Sequence, residues 1–184
     1  MILLKKSNKQ TIPNDQIITK YRGLQKIYFN KILLNIIKIG RLNLTNKKIL
    51  DFGCGNKQLS KLLNKKILNY DLNPNYSDFT TIDNLKFDIV VINHVLMYLS
   101  VKEIKNLLLK IYSINKNAIL IVGIGKQNFL SIFLKILTFK FNAHKGTKSS
   151  YIQQLNILKK NLKKIKCKKN IFFLTDVFKF TFKK

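Results

Sequence analysis

The chain has 184 residues and a formal net charge of +27, and hydrophobic residues make up 46% of it. This length and composition predict one globular domain with a sizeable core and exclude a disordered chain. No apolar run is long enough to cross a bilayer, and the charge after the first few residues argues against a signal peptide. We therefore expect a cytoplasmic protein whose two cysteines, Cys54 and Cys167, are free thiols.

The positive charge is only weak evidence for nucleic-acid binding. Arg22 and Arg41 are the only arginines, so 33 of the 35 basic residues are lysines. Proteins that recognise phosphate usually use some arginine, because its planar fork matches the phosphate oxygens. The acids are more informative, since six of the eight lie between positions 51 and 103. A basic chain that concentrates its carboxylates in one window is expected to use some of them.

The first two thirds of the chain alternate between helices and strands. Apolar residues at helical spacing predict an N-terminal helix over residues 14–39. Apolar strands are predicted in the segments 47–53, 66–74, 117–125 and from 87 onward. Helices are predicted between them at 57–64 and 100–114, the latter with a capping box made by Ser100 and Glu103. This alternation predicts an α/β fold with a parallel sheet.

The last third of the chain has a different pattern. Residues 128–142 predict a helix with one narrow polar stripe and apolar residues everywhere else. A loop and a helix through about residue 163 follow, and two strands that connect around Thr175 and Asp176 end the chain. A tight connection makes those strands antiparallel. The expected layout is one domain over 1–184, with an N-terminal helical extension at 1–45 and a substrate-side helical insertion at 126–163.

The stretch "ILDFGCG", residues 49–55, joins the first predicted strand to a helix. Its glycines, Gly53 and Gly55, allow positive φ and let a ligand approach the backbone. Asp71 ends the next strand 20 residues after Asp51, where an acid can accept hydrogen bonds from both hydroxyls of a ribose. A nicotinamide dinucleotide site is disfavoured, because its fingerprint needs Gly or Ala where this chain has Gln58.

These motifs resemble those of the class I S-adenosylmethionine-dependent methyltransferases. "ILDFGCG" is similar to the first motif of that family, "NYDLNP" to its second, and "FDIVVINHVLMYLS" to the strand-to-helix segment of its small-molecule branch. The resemblance covers about residues 45–184 and implies S-adenosyl-L-methionine as the cofactor. It also implies a Rossmann-like, mostly parallel seven-stranded sheet with helices on both faces and a C-terminal antiparallel hairpin. The second crossover is too short for the family's usual helix and strand, so we expect it to be trimmed.

The resemblance further implies a set of cofactor-binding residues, which are Asp51, Gly53, Cys54, Gly55, Asp71, Leu72, Asp83 and Asn93. The glycine turn and Asp51 would line the methionine part of the cofactor. Asp71 would hold the ribose hydroxyls, Leu72 would pack on the adenine, and Asp83 would face the adenine edge. Lys57 stands where the family often has a further glycine, so weaker cofactor binding is expected.

Catalysis is expected beyond the strand that begins near residue 87. Asn93 and His94, at its carboxyl end, would lie beside the transferring methyl group. A hydroxyl acceptor often needs a general base, and the two histidines of the chain, His94 and His144, are the candidates. A structural role explains His94 equally well. His144 precedes a helix in a segment that often covers the substrate in the resembling family, so it is the better candidate; no metal is implied.

The predicted function is S-adenosylmethionine-dependent methylation of a small-molecule or lipid-linked metabolite, with oxygen as the favoured acceptor atom. Helix 128–142 would form an apolar wall for the substrate or lie on a membrane surface, where Lys135 and Lys140 would suit anionic headgroups, making the protein membrane-peripheral.

Two other functions remain open from the sequence. One is an RNA methyltransferase, although the strand ending "INHV" lacks the Asn-Pro-Pro-aromatic motif of base N-methylation, so nucleic acid is the less favoured partner. The other is a catalytically degenerate Rossmann-like binding protein, which Lys57 and the trimmed crossover would suit.

Overall fold

The computed structural model describes residues 23–126, 146–171 and 174–183. The strands are β1 (Ile49–Phe52), β2 (Leu68–Tyr70), β3 (Ile89–Asn93), β4 (Ile119–Gly125), β5 (Leu162–Ile171) and β6 (Thr175–Phe182). The helices in these ranges are α1 (Gly23–Gly40), α2 (Gln58–Leu63), α3 (Val101–Ile114) and α4 (Tyr151–Asn161). The predicted helix 128–142, with Lys135 and Lys140, and the candidate base His144 lie outside the described residues.

The strands form one sheet in the order β2-β1-β3-β4-β6-β5. The first four strands of that order are parallel, whereas β6 runs antiparallel to both β4 and β5. The carboxyl ends of β1 to β4 therefore lie at one edge of the sheet, and the amino end of β6 meets them there, with Thr175 paired to Gly125. The predicted Rossmann-like sheet with an antiparallel C-terminal hairpin is confirmed.

The sheet has six strands in the described residues instead of the seven that the resemblance implied. The segment 71–88, between β2 and β3, contains neither a helix nor a strand. Turns hold it in place instead, as where the backbone N–H of Asp78 donates to the carbonyl of Asn69 at 2.9 Å. The predicted trimming of this crossover is confirmed, and among the described strands β2 lies at the edge.

The position of the C-terminal hairpin connection was predicted wrongly. The connection was expected around Thr175 and Asp176, but both residues lie inside β6 and pair with β4. The preceding helix ends at Asn161, and β5 begins directly at Leu162. The lysine-rich sequence at the start of β5 resembles the solvated end of a helix. It forms a strand here because an edge strand can carry charged side chains that a central strand cannot.

Two apolar layers cover the sheet, one on each face. Ile32 and Ile36 of α1 are completely buried against one face, so α1 contributes to the core. Helices α3 and α4 cover the other face, for example through Ile104 and Leu158. The predicted capping box at Ser100 starts α3 and is confirmed. Within the described ranges, no helix is long and apolar enough to span a membrane.

Candidate functional site

The glycine turn, residues 53–57, connects β1 to α2 and fixes the loop after β3. The backbone N–H groups of Gly53 and Cys54 donate to the carbonyl of Tyr70, at 2.7 and 3.1 Å. Gly53 has φ = +79°, and a Cβ there would lie 2.2 Å from Cγ2 of Val95. Only glycine therefore lets the loops after β1 and β3 touch, which brings three strand ends together at one edge.

Asp71 fastens the glycine turn to the loop after β2. Its Oδ2 accepts from the backbone N–H of Gly55, and its Oδ1 accepts from that of Asn73, both at 2.9 Å. Each carboxylate oxygen has a second lone pair, so the group can still accept from two further donors. The neighbouring Leu72 is 76% exposed and offers an apolar surface at the same edge.

Asp51 is a buried acid at the end of β1. Its exposed fraction is only 5%, and no described residue donates a hydrogen bond to its carboxylate. Burial, and to a smaller extent the negative charge of Asp71, raise its pKa from 3.8 to about 7. A cationic group beside both acids would relieve the repulsion and favour ionised Asp51.

Lys57 has a left-handed backbone conformation, which a glycine adopts with less strain than a lysine does. Its φ is +57°, in the left-handed region, at the start of α2. Its ammonium pairs with Oδ1 of Asp78 at 2.5 Å, and the amide of Asn69 donates to Oδ2 of Asp78 at 2.9 Å. The hydrogen bond from Lys57 is the main cause of the lowered pKa of Asp78. Lys57 thus keeps a left-handed backbone and an ion pair with Asp78 at the position where the resembling family often has a further glycine.

His94 directly follows β3 and is half-buried. Its Nε2 is 2.9 Å from the hydroxyl oxygen of Thr175, which is itself 2.6 Å from the hydroxyl of Tyr28. The rings of Tyr28 and Phe29 meet the imidazole edge to face. A Cβ at Gly125 would lie 3.0 Å from the ring, so the imidazole rests on β4. This arrangement links α1, β3 and β6 through one hydrogen-bonded chain.

Asn93, the last residue of β3, lies across Gly123 of β4. A Cβ at Gly123 would lie 2.3 Å from Oδ1 of Asn93, so the close approach depends on glycine. Oδ1 is buried and has no hydrogen-bond partner in the described structure. A buried unsatisfied oxygen costs free energy, and a donor from a ligand would remove that cost.

A second polar cluster lies on the opposite face of β4 and β6. Asp176 is 1% exposed, and its carboxylate binds the ammonium of Lys126 at 2.8 Å and the hydroxyl of Tyr151 at 2.6 Å. Burial and this contact with Asp176 raise the pKa of Tyr151. The cluster joins the end of β4 to the starts of β6 and α4.

The structure brings most of the predicted cofactor residues to one edge of the sheet. Asp51, Gly53, Gly55, Asp71 and Leu72 lie around the glycine turn. An open cleft borders that turn on its α2 side, between residues 55–58 and 75–76.

Cys54 and Asp83 differ from this group. The thiol of Cys54 is buried and donates to the carbonyl of Tyr76 at 3.4 Å, and burial, together with the charges of Asp51 and Asp71, raises its pKa to about 12. Asp83 is half-exposed, and its carboxylate binds the ammonium of Lys110 on α3 at 2.7 Å. It still lies near enough to Tyr70 to raise the pKa of that hydroxyl, after burial and Asp71.

Four polar residues near the strand ends were not singled out from the sequence: Tyr28, Lys126, Thr175 and Asp176. The sequence predicted Tyr28 as part of the apolar face of a helix. It predicted Thr175 and Asp176 as part of a turn. The sequence contains one indication of these contacts, which is the polar pair Thr175 and Asp176 inside the apolar alternation "FFLTDVFKF". Polar residues at buried strand positions usually bind each other or a ligand.

Solved structures share this architecture. Magnesium protoporphyrin IX methyltransferase from Synechocystis with bound S-adenosylhomocysteine is 17% identical, with a TM-score of 0.60 over 91% of this chain and 92% of that one. N-methyltransferase NodS from Bradyrhizobium japonicum, in complex with S-adenosyl-L-homocysteine, is 13% identical, with a TM-score of 0.59 over 85% and 88%. Mitomycin 7-O-methyltransferase is 12% identical, with a TM-score of 0.55 over 86% of this chain and 57% of that one.

Sequence comparison adds no relative to these. No protein-family model matches the chain. No curated protein matches it significantly. The identities to the solved structures are low, so the likeness concerns the arrangement of strands and helices. The chain has the class I S-adenosylmethionine-dependent methyltransferase fold.

Proposed function

We propose that this protein is an S-adenosylmethionine-dependent methyltransferase that acts on a small-molecule or lipid-linked metabolite. The observation that carries the proposal is the pair of acids at the glycine turn, Asp51 and Asp71. Asp51 is buried, and no described residue donates a hydrogen bond to it, whereas Asp71 accepts hydrogen bonds from the backbone of Gly55 and Asn73.

The charge of the site fits this cofactor. S-adenosylmethionine carries positive charge on its sulfonium and amino groups, which two neighbouring carboxylates attract. The solved neighbours from Synechocystis and Bradyrhizobium japonicum hold its product, S-adenosylhomocysteine, on the same fold. Both observations support binding at the carboxyl ends of β1, β2 and β3.

We assign the cofactor contacts from the geometry of the edge. Asp51 and the backbone of the glycine turn would hold the amino-acid end, and Asp71 has free lone pairs for the ribose hydroxyls. Exposed Leu72 would pack against the adenine. The unpaired Oδ1 of Asn93 would accept a hydrogen bond near the reacting centre. Asp83 is omitted, because Lys110 already binds its carboxylate.

The cofactor would supply the methyl group and the driving force, while the protein aligns donor and acceptor. We propose an oxygen acceptor, whose proton must be removed. The ring of His94 is held by Thr175 and Gly125, which suits a positioning role. His144 stays the sequence-based candidate for the base. Among the solved neighbours, mitomycin 7-O-methyltransferase is named for O-methylation and NodS for N-methylation.

Calorimetric titration with S-adenosylhomocysteine tests the cofactor assignment. We expect Asp71→Asn to weaken binding at least about 10-fold, since hydrogen bonds to a charged acceptor contribute roughly 1.5–3 kcal/mol each. Asp83→Asn is the matched control, because Asp83 is left out of the assigned contacts and its carboxylate binds Lys110 instead. The proposal fails if the wild type does not bind, or if both variants bind as the wild type does.

Methyl-labelled cofactor then identifies the acceptor class. The protein is incubated with separated lipid, small-molecule and RNA fractions, and label in either of the first two supports the proposal. Label in RNA alone would replace it with the RNA methyltransferase alternative. Cofactor binding without transfer to any fraction would favour the degenerate binding protein, which the hydrogen bond between His94 and Thr175 also suits.

A further inference from the structure

The outer face of α1 carries exposed aliphatic and cationic side chains in one line. This outer stripe consists of Ile27, Lys31, Leu34 and Lys38, which lie on one side of α1 at spacings of 4 and 3 residues, and of Arg41, which directly follows the helix. All five are exposed, Ile27 to 60% and Leu34 to 51%. The stripe faces away from the core, because the opposite side of α1 is buried on the sheet.

The stripe and its surroundings are strongly cationic. Residues 23–48 include six Lys or Arg side chains and no Asp or Glu. Beyond the helix, Lys47 is exposed and Leu44 is 79% exposed. Burial lowers the pKa of Lys179, and the charges of Arg41, Lys166 and Lys47 lower it further. Cations from the segment after α1, from β5 and from β6 therefore lie close together at one end of the stripe.

The mixture of side chains distinguishes between anionic partners. A polyphosphate such as RNA would gain little from exposed Ile27, Leu34 and Leu44, and the stripe has no aromatic side chain for base stacking. A bilayer surface uses both kinds of side chain, because aliphatic groups enter the acyl boundary while cations stay at anionic headgroups. Long lysine side chains can reach those headgroups from a helix that lies in the interface.

We propose that the outer stripe, together with Leu44, docks this protein on the surface of an anionic lipid bilayer. Ile27, Leu34 and Leu44 enter the acyl boundary, and Lys31 and the other cations bind the headgroups. The proposal does not depend on methyl transfer and concerns a different segment from residues 128–142. It also places Tyr28, whose hydroxyl binds Thr175 beside His94, near the bilayer.

A single introduced tryptophan tests the depth of the stripe, because the chain has no tryptophan of its own. We expect Leu34→Trp to shift its emission to the blue, and to be quenched by brominated acyl chains, on phosphatidylcholine vesicles containing phosphatidylserine. Leu109→Trp is the matched control, since Leu109 is 65% exposed on α3. Equal responses at both positions, or none at position 34, would overturn the proposal.

Paired lysine substitutions test the charge. Lys31→Gln with Lys38→Gln should weaken vesicle binding about 30-fold, since each lysine near an anionic surface contributes a roughly 6-fold effect. The control pair, Lys102→Gln with Lys105→Gln on α3, removes the same charge and should change binding less than about 3-fold. Equal losses would mean that net charge alone drives binding.

An RNA titration separates the two kinds of partner. Ile27→Ser with Leu34→Ser should weaken vesicle binding at least about 10-fold, because the lost aliphatic surface no longer enters the bilayer. If the wild type binds a single-stranded RNA oligonucleotide more tightly than vesicles, and this serine pair leaves both affinities unchanged, the surface recognises polyphosphate and the lipid proposal is wrong.

Discussion

Asp51 lies two residues before the glycine turn, and Lys57 is the last residue of that turn. Each of them lowers the stability of the folded protein. Asp51 is an acid without a described donor, and Lys57 has a left-handed backbone. Strained or destabilised residues tend to persist where a ligand uses them. Asp51 fits that pattern, because a cationic ligand would remove its cost, whereas Lys57 keeps the turn in shape through Asp78.

The pH dependence of stability tests the state of Asp51. Its pKa is raised from 3.8 to about 7 on folding, so the folded protein holds this proton more tightly than the unfolded chain does. The free energy of unfolding should therefore fall as the pH rises from about 4 to about 7. We expect Asp51→Asn to lack this part of the pH dependence in urea denaturation. Identical pH profiles for both proteins would contradict the assignment.

Substitutions at Lys57 test its backbone conformation. Lys57→Gly should leave the free energy of unfolding within about 1 kcal/mol of the wild type, because relief of the positive φ offsets the loss of an exposed ion pair. Lys57→Val should lower it by roughly 1–3 kcal/mol, since a β-branched residue is strained there. Thermal unfolding compares the two. Equal stability of both variants would mean that the turn adapts its backbone.

At the scale of elements, the connections differ in how well the sequence predicts them. The strands before α3 and α4 were placed within a few residues, because buried parallel strands are continuous apolar runs. The capping box of α3 was predicted because its side chains bind each other locally. The start of β5 was not predicted, because the lysines of a solvent-exposed edge strand do not form the apolar run that marks a buried strand.

The contacts across elements explain what the sequence could not predict in the site. The chain from Tyr28 through Thr175 to His94 joins α1, β6 and β3, and Thr175 is 147 residues from Tyr28. Such pairs depend on the sheet order, which no local pattern contains. The glycine turn and Asp71 were found because their contact is between consecutive strands and has a known spacing.

Asp176 is the strongest test of these cross-element contacts. Asp176→Asn should lower the free energy of unfolding by roughly 3–5 kcal/mol, because Asp176 is 1% exposed and removing one member of a buried ion pair is strongly destabilising. Asp83→Asn is the control and should cost at most about 1 kcal/mol, since its ion pair with Lys110 is exposed. Urea denaturation measures both. A loss at Asp176 no larger than at Asp83 would show that the buried cluster does not stabilise the fold.

At the scale of the whole molecule, the trimmed crossover sets the limits of the sheet. The short segment between the second strand and the next one predicted a trimmed crossover, although the resemblance implied seven strands. The structure then places β2 at one edge and β5 at the other. The length of that segment limits how many strands it can form. Which strands lie at the edges depends instead on the order in which the strands pair.

The two edges resist strand-to-strand association between molecules by different means. β2 has only three residues, and Asp78 bonds to both the carbonyl and the amide of Asn69 there. β5 is a long edge, but Lys164, Lys166 and Lys168 repel an identical strand.

Replacing those three lysines with threonine should therefore produce β-rich oligomers that light scattering detects. The same change at Lys102, Lys105 and Lys110 should not, because those lysines lie on a helix. Part of the large positive charge would thus keep the protein monomeric, a use of lysine that needs no anionic partner.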